Sequence, residues 1–163
     1  MRVSRSGIYA AGDVTGRDQF VYMAAYGAKL ATKNALNGDS LRYDNSAMPV
    51  IVFTDPQVAS VGLTSVEAAK RELPHRVVEY AIGNVAGAAV FADGYTGTAI
   101  AVIDTEREVL LGMTFIGSGV AEMIQAATIA IFGELPIARL WHAVPAYPTI
   151  NEVWLRLLET YRG

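Results

Sequence analysis

Gly97-Thr98-Ala99-Ile100-Ala101-Val102-Ile103-Asp104 and Val109-Leu110-Leu111-Gly112-Met113-Thr114-Phe115-Ile116 are two apolar runs joined by Thr105-Glu106-Arg107-Glu108. Their side chains suit a pleated, half-buried surface, and a short polar connection returns the chain beside itself. This stretch predicts an antiparallel hairpin. Working backwards, Arg76 to Ile82, Val58 to Gly62 and the apolar run Pro49 to Thr54 read as further strands. Asp55-Pro56 reads as a turn, because proline fixes φ and disfavours a helical residue before it. Thr64-Ser65-Val66-Glu67 opens a short helix, with the Thr hydroxyl accepting an N–H and the Glu reaching back. Working forwards, helices are predicted at Val120–Phe132, around Ile137–Leu140 and at Glu152–Tyr161. Hairpin strands with helices gathered to one side give an α+β fold, an antiparallel sheet flanked by helices, and not α/β.

That reading covers residues 46–163; residues 1–45 have a different rhythm. Gly7 to Ala11 is a short apolar run, expected as a strand, that ends at Gly12-Asp13. From Gln19 to Asn37 the residues Phe20, Met23, Ala24, Gly27, Leu30, Ala31 and Asn34 recur at helical steps, and Gly38 supplies a left-handed stop. Asp39 to Ser46 is polar and reads as a linker. One strand and one helix bury each other poorly, so this part is expected to be the tail of a domain whose body lies upstream.

Composition narrows the function. The chain has 163 residues, 52% hydrophobic and 18% charged, apolar enough for a core and too apolar for disorder. No apolar run approaches the ~20 residues of a membrane span. Arg2-Val3-Ser4-Arg5-Ser6 is not an apolar signal segment, so the expected location is cytoplasmic. The net charge of -3 gives no pull toward nucleic acid. With no cysteine there is no disulfide framework, thiolate nucleophile or thiolate metal site. His75 and His142 lack a second ligand at metal spacing, so no metal site is expected. Redox chemistry here needs a borrowed cofactor.

Two constellations carry candidate chemistry. Gly12-Asp13 ahead of a helix lets a ligand approach the backbone and offers a carboxylate to its hydroxyls, while the helix N–H groups near Phe20 and Val21 favour negative charge. Taken alone, the same residues are a turn with an exposed aspartate. In Tyr147-Pro148-Thr149-Ile150-Asn151-Glu152 the proline pins the approach, Thr149 caps the last helix and Glu152 sits in its first turn. Tyr147 is a candidate proton donor or aromatic gate with Glu152 orienting it, or the segment is simply a capped helix. A phenol is a poor general base at neutral pH. Gly117-Ser118-Gly119 lacks the third glycine and the lysine of phosphate loops and reads as a tight turn. Trp141 and Trp154 read as core or subunit interface.

Four segments resemble one family. Gly7-Ile8-Tyr9-Ala10-Ala11-Gly12-Asp13 resembles the last FAD-contacting motif of the pyridine nucleotide-disulfide oxidoreductases, flavoproteins that include dihydrolipoamide dehydrogenase, glutathione reductase and mercuric reductase. Phe53-Thr54-Asp55-Pro56-Gln57-Val58-Ala59-Ser60-Val61-Gly62 resembles the opening of their C-terminal dimerisation domain. Gly119-Val120-Ala121-Glu122-Met123-Ile124 is similar to its Gly-x-Ala-Glu helix, and Tyr147-Pro148-Thr149 through Glu152 stands where the family has His-Pro-Thr-x-x-Glu.

The resemblance implies a remnant of an FAD domain over 1–45 and an FAD/NAD-linked reductase dimerisation domain over 46–163, assembled as a homodimer. In such enzymes NAD(P)H reduces FAD, which passes electrons to a disulfide or small-molecule acceptor. By matching positions, Gly12, Asp13, Phe20, Val21 and Pro148 belong to the cofactor side, and Tyr147 takes the acid-base position, supported by Glu152. FAD is expected in the complete enzyme and not on these residues alone, which are expected to be inactive. Tyrosine in place of histidine departs from ordinary dihydrolipoamide or glutathione chemistry, where an imidazole titrates near neutrality. Mercuric reductases also carry a tyrosine there, but their C-terminal cysteine pair is absent. Two alternatives stay open: a self-standing dimerisation module without flavin, and a cysteine-dependent reductase whose thiols lie upstream.

Overall fold

The predicted hairpin forms the middle of a five-stranded sheet. In a computed structural model, which describes residues 2–163, the strands are β1 (Pro49–Val52), β2 (Gln57–Gly62), β3 (His75–Ala81), β4 (Gly97–Asp104) and β5 (Val109–Gly117). Their order is β1-β2-β5-β4-β3, and every neighbouring pair is antiparallel. The β4–β5 turn is held by Asp104, whose buried carboxylate accepts the N–H groups of Glu106 and Arg107, both at 2.9 Å. Helices interleave with the strands: α1 (Val21–Asn37), α2 (Ser65–Lys70), α3 (Ala86–Phe91), α4 (Ile124–Phe132), α5 (Ile137–Leu140) and α6 (Val153–Arg162).

The chain forms two compact units, Met1–Asn45 and Ser46–Gly163. In the second, α4 packs over β5 and β2 while α6 packs over β3 and β4. Side-chain size sets that packing. Ala59, Phe115 and Ala99 stand side by side across β2, β5 and β4, and all three are fully buried. Small residues on both flanks leave room for the Phe115 ring, which meets Trp154 of α6 edge-on at 6.0 Å. The next row repeats the pattern with Val61, Met113 and Ala101.

In the first unit α1 buries Met23, Gly27, Leu30 and Ala31 along one face, as its spacing predicts, and ends at Gly38 with φ 70°. Asn34 fastens the following polar segment, its side chain exchanging two 2.9 Å hydrogen bonds with the Leu41 backbone.

Some expectations need correction. Gly7 to Ala11 is not a strand: Tyr9 forms only an isolated bridge with Arg2, and Ile8 is 46% exposed. An extended segment needs a ladder partner to become a strand, and none of the named strands lies in this unit. The helix begins at Val21, not Gln19, because Asp18 takes φ 40° and Phe20 is extended. The first strand of the sheet stops at Val52; Phe53 is exposed and the Thr54 hydroxyl donates to Pro56 O in the turn. The run Val120–Phe132 divides into a 3-10 turn at Val120–Glu122 and α4. No helix was expected where α3 lies.

Candidate functional site

In Ser46–Gly163 the site is built on Glu152. Glu152 is only 9% exposed and ends the 3-10 turn Ile150–Glu152 that leads into α6. Its Oε1 accepts the Thr149 N–H at 3.2 Å and the Gly87 N–H at 2.9 Å. The Thr149 hydroxyl donates to Ala146 O at 2.7 Å. These bonds pin the backbone on both sides of Tyr147 and Pro148, whose side chains face solvent; Tyr147 is 77% exposed. The two residues predicted for acid-base work therefore share one short segment, but the hydrogen bonds of Glu152 go to backbone N–H groups and not to the phenol. Glu152 holds the peptide that carries Tyr147.

The same bonds explain α3. Its N-cap, Val85, has no side-chain acceptor, and a helix start leaves its first N–H groups unpaired. Glu152 supplies the missing acceptor from elsewhere in the chain.

Beside this segment lies an apolar groove of about 550 Å³, walled by Ile129, Ala130 and Leu135 near α4, by residues 143–146 and by Trp154 and Leu158 of α6. Ile129 is 57% exposed and the neighbouring Phe132 63%. The indole N–H groups of Trp141 and Trp154, which also line the groove, are buried without a hydrogen-bond partner among the described residues. The Arg162 guanidinium covers the Trp141 ring at 4.3 Å. Periodicity did not reveal this groove. The available signal was Ile124 to Phe132, apolar around nearly its whole circumference, a pattern that demands burial on more than one side.

In Met1–Asn45, Gly12 adopts φ 80° and Asp13–Thr15 makes a 3-10 turn in which the Thr15 hydroxyl donates to Gly12 O at 2.7 Å. Asp13 is exposed. The Phe20 N–H donates to Asp18 O at 2.7 Å, and the Val21 side chain projects into solvent. Asp18 gathers the far wall, accepting the Tyr43 hydroxyl at 2.9 Å and the Asn45 amide at 3.0 Å. Burial, followed by the Asp18 hydrogen bond and its charge, pushes the Tyr43 phenol up to about 12. Gly12, Thr15, Arg17, Asp18 and Tyr43 border a cavity of about 260 Å³. That is below the ~300–1,000 Å³ of ordinary small-molecule pockets. These residues fit a hydroxyl-bearing stretch of a dinucleotide such as FAD, and not the whole of it.

Among the described residues no three His, Cys, Asp or Glu side chains group to hold a metal ion, and no helix is long and apolar enough to cross a membrane.

The chain is 32% identical over 154 residues to a dihydrolipoyl dehydrogenase of Chlamydia trachomatis, covering 94% of this chain and 33% of that protein. It is 34% identical over 151 residues to a mercuric reductase of Lysinibacillus sphaericus, covering 93% and 28%. The chain thus spans about a third of the length of the curated relatives it matches. Its fold superposes with a TM-score of 0.83 on the HOCl-induced flavoprotein disulfide reductase RclA from Escherichia coli, at 26% identity over 93% of this chain and 35% of that one. Residues 48–157 match the dimerisation domain of the pyridine nucleotide-disulphide oxidoreductases, and the chain belongs to that family.

Proposed function

We propose that this chain pairs two-fold with a second copy through the α4 face and presents Tyr147 to the electron-acceptor side of an FAD- and NAD(P)H-dependent oxidoreductase. The observation that carries the pairing is α4 itself: Ile129 and Phe132 are more than half exposed on a helix whose opposite side, Ile124, Ala127 and Ala130, is buried in the core. An exposed apolar face next to an apolar groove is what a self-complementary interface requires.

When bound, FAD would supply the relay of electrons from NAD(P)H to a disulfide or small-molecule acceptor. This chain's share is to hold and to orient. Gly12, Asp13 and Thr15 offer a close backbone approach, a carboxylate and a hydroxyl to the ribityl or pyrophosphate stretch, with Phe20 and Val21 at the helix start nearby. Tyr147, kept in place by Pro148, Thr149 and Glu152, offers a phenolic proton to an acceptor that needs one. A phenol suits donation better than base catalysis near neutral pH, which favours an acceptor that requires no strong base. By themselves these residues are inactive under this reading, because the sequence holds no cysteine to pass electrons on.

Sedimentation equilibrium of the purified chain tests the pairing. A dimer at micromolar concentration is expected, with Ile129→Asp converting it to a monomer of unchanged circular dichroism. A wild-type monomer, or a dimer indifferent to Ile129→Asp, overturns the assignment of this face.

A further inference from the structure

We infer that Gly87 is a positioning residue for Tyr147, acting through the backbone of Thr149 and the buried carboxylate of Glu152. What Tyr147 does rests on the reading above; where it is held does not. A single oxygen, Glu152 Oε1, accepts both the Gly87 N–H and the Thr149 N–H. The start of α3 is thereby tied to the peptide two residues beyond Tyr147. The absence of a side chain at position 87 is equally specific. A Cβ there would lie 2.0 Å from the Thr149 carbonyl carbon and 2.3 Å from its Cα and O. These are backbone atoms, so no rotamer change relieves the collision. Either the Tyr147-Pro148-Thr149 segment moves outward or α3 moves away and loses its acceptor.

The other side of the segment does not give. Ile150, Val153 and Leu157 are buried in the core, so the chain after Thr149 is anchored to the sheet. Displacement at Thr149 must then pass back toward Tyr147, the exposed end. Gly87 adopts no unusual φ; space, not conformational freedom, is what requires glycine here.

The test uses the whole chain, with nuclear magnetic resonance of backbone amides and of ring-labelled tyrosine. Gly87→Ala should shift the Tyr147 ring and Thr149 amide signals and raise Thr149 amide exchange at least tenfold, leaving the exchange of Met113 and Phe115 in β5 unchanged. Glu152→Ala should shift the same signals in the same direction. The conservative Glu152→Gln, whose amide oxygen still accepts both N–H groups, should restore wild-type positions. Unmoved Tyr147 signals, or exchange raised equally across the sheet, overturn the inference. Should Gly87→Ala fail to fold, the contrast between Glu152→Ala and Glu152→Gln decides: equal Tyr147 shifts in both overturn it. None of these readouts depends on catalysis, so a Tyr147 with no part in turnover sinks the functional reading and leaves this one standing.

Discussion

The Tyr161 hydroxyl donates a 2.6 Å hydrogen bond to the Glu108 carboxylate, joining the last turn of α6 to the β4–β5 turn. Arg76 of β3 completes the clamp, donating to the carbonyls of Tyr161 at 2.8 Å and Thr160 at 3.3 Å and lying 5.5 Å from the Tyr161 ring. Carbonyls at a helix end have no intrahelical partner and attract cations. The helix that begins at the Tyr147 segment is therefore held at its other end by two side chains, Arg76 from the sheet and Glu108 from its turn.

This clamp should make stability fall on the alkaline side. Burial, then the Glu108 hydrogen bond and charge, pushes the Tyr161 phenol up to about 12, against an ordinary value near 10. A raised pKa means the fold favours the protonated phenol. The contribution is complete below about pH 10 and disappears as pH rises toward about 12. Thermal melts across that window should show a shallower decline for Tyr161→Phe than for wild type. Tyr43 titrates in the same range, so the difference between the two proteins is the diagnostic quantity; identical slopes contradict the assignment.

Removal of the α2 cap should have a modest cost. Thr64 Oγ1 accepts the Glu67 N–H at 3.2 Å, and Glu67 accepts the Thr64 N–H at 2.8 Å. The Thr64 N–H and the Thr64 hydroxyl, each donating to Glu67 Oε2 at 2.8 Å, hold the Glu67 carboxyl below its ordinary value. Thr64→Ala should destabilise by about 1 kcal/mol, with Thr64→Ser close to wild type. Because a lowered carboxyl pKa stabilises above its ordinary value and fails as pH falls, the alanine variant should also lose less on acidification. Urea titrations at neutral and acid pH measure both effects.

Phe115→Ala should be the most damaging single change in the sheet. The ring is fully buried between Ala59 and Ala99 and against Trp154, so truncation leaves a cavity that flanking alanines cannot fill. A loss of about 3–5 kcal/mol is expected, and guanidinium denaturation reads it directly. A loss below about 1 kcal/mol would show that α6 collapses into the space.

Tyr147→Phe tests the acceptor side. Under the proposed reading, turnover of the whole oxidoreductase with an acceptor that takes up a proton should drop modestly, while reduction of FAD by NAD(P)H proceeds at the wild-type rate. The side chain is largely exposed, so the melting temperature should stay put. Stopped-flow absorbance separates the two half-reactions. Equal turnover for the wild type, Tyr147→Phe and Tyr147→His assigns the residue no chemical part.

By itself the amino-acid sequence determined whatever is decided within a few neighbouring residues. The β4–β5 hairpin, the Thr64–Glu67 cap, the Gly38 stop and Ile137–Leu140 all stand where they were expected, because alternation, caps and left-handed stops are short-range properties of the chain. Tertiary structure decided the rest. Gly7 to Ala11 has the composition of a strand and lacks a ladder to join. Residues 86–91 carry no cap of their own and become α3 because Glu152, 65 positions from Gly87, brings the acceptor. The groove beside α4 likewise exists only once α6 and residues 143–146 stand opposite it. A hydrogen-bond acceptor or an apolar wall has no sequence signature of its own when its partner lies on a different element, since any carboxylate or any leucine is chemically equal to the task until folding selects the one within reach.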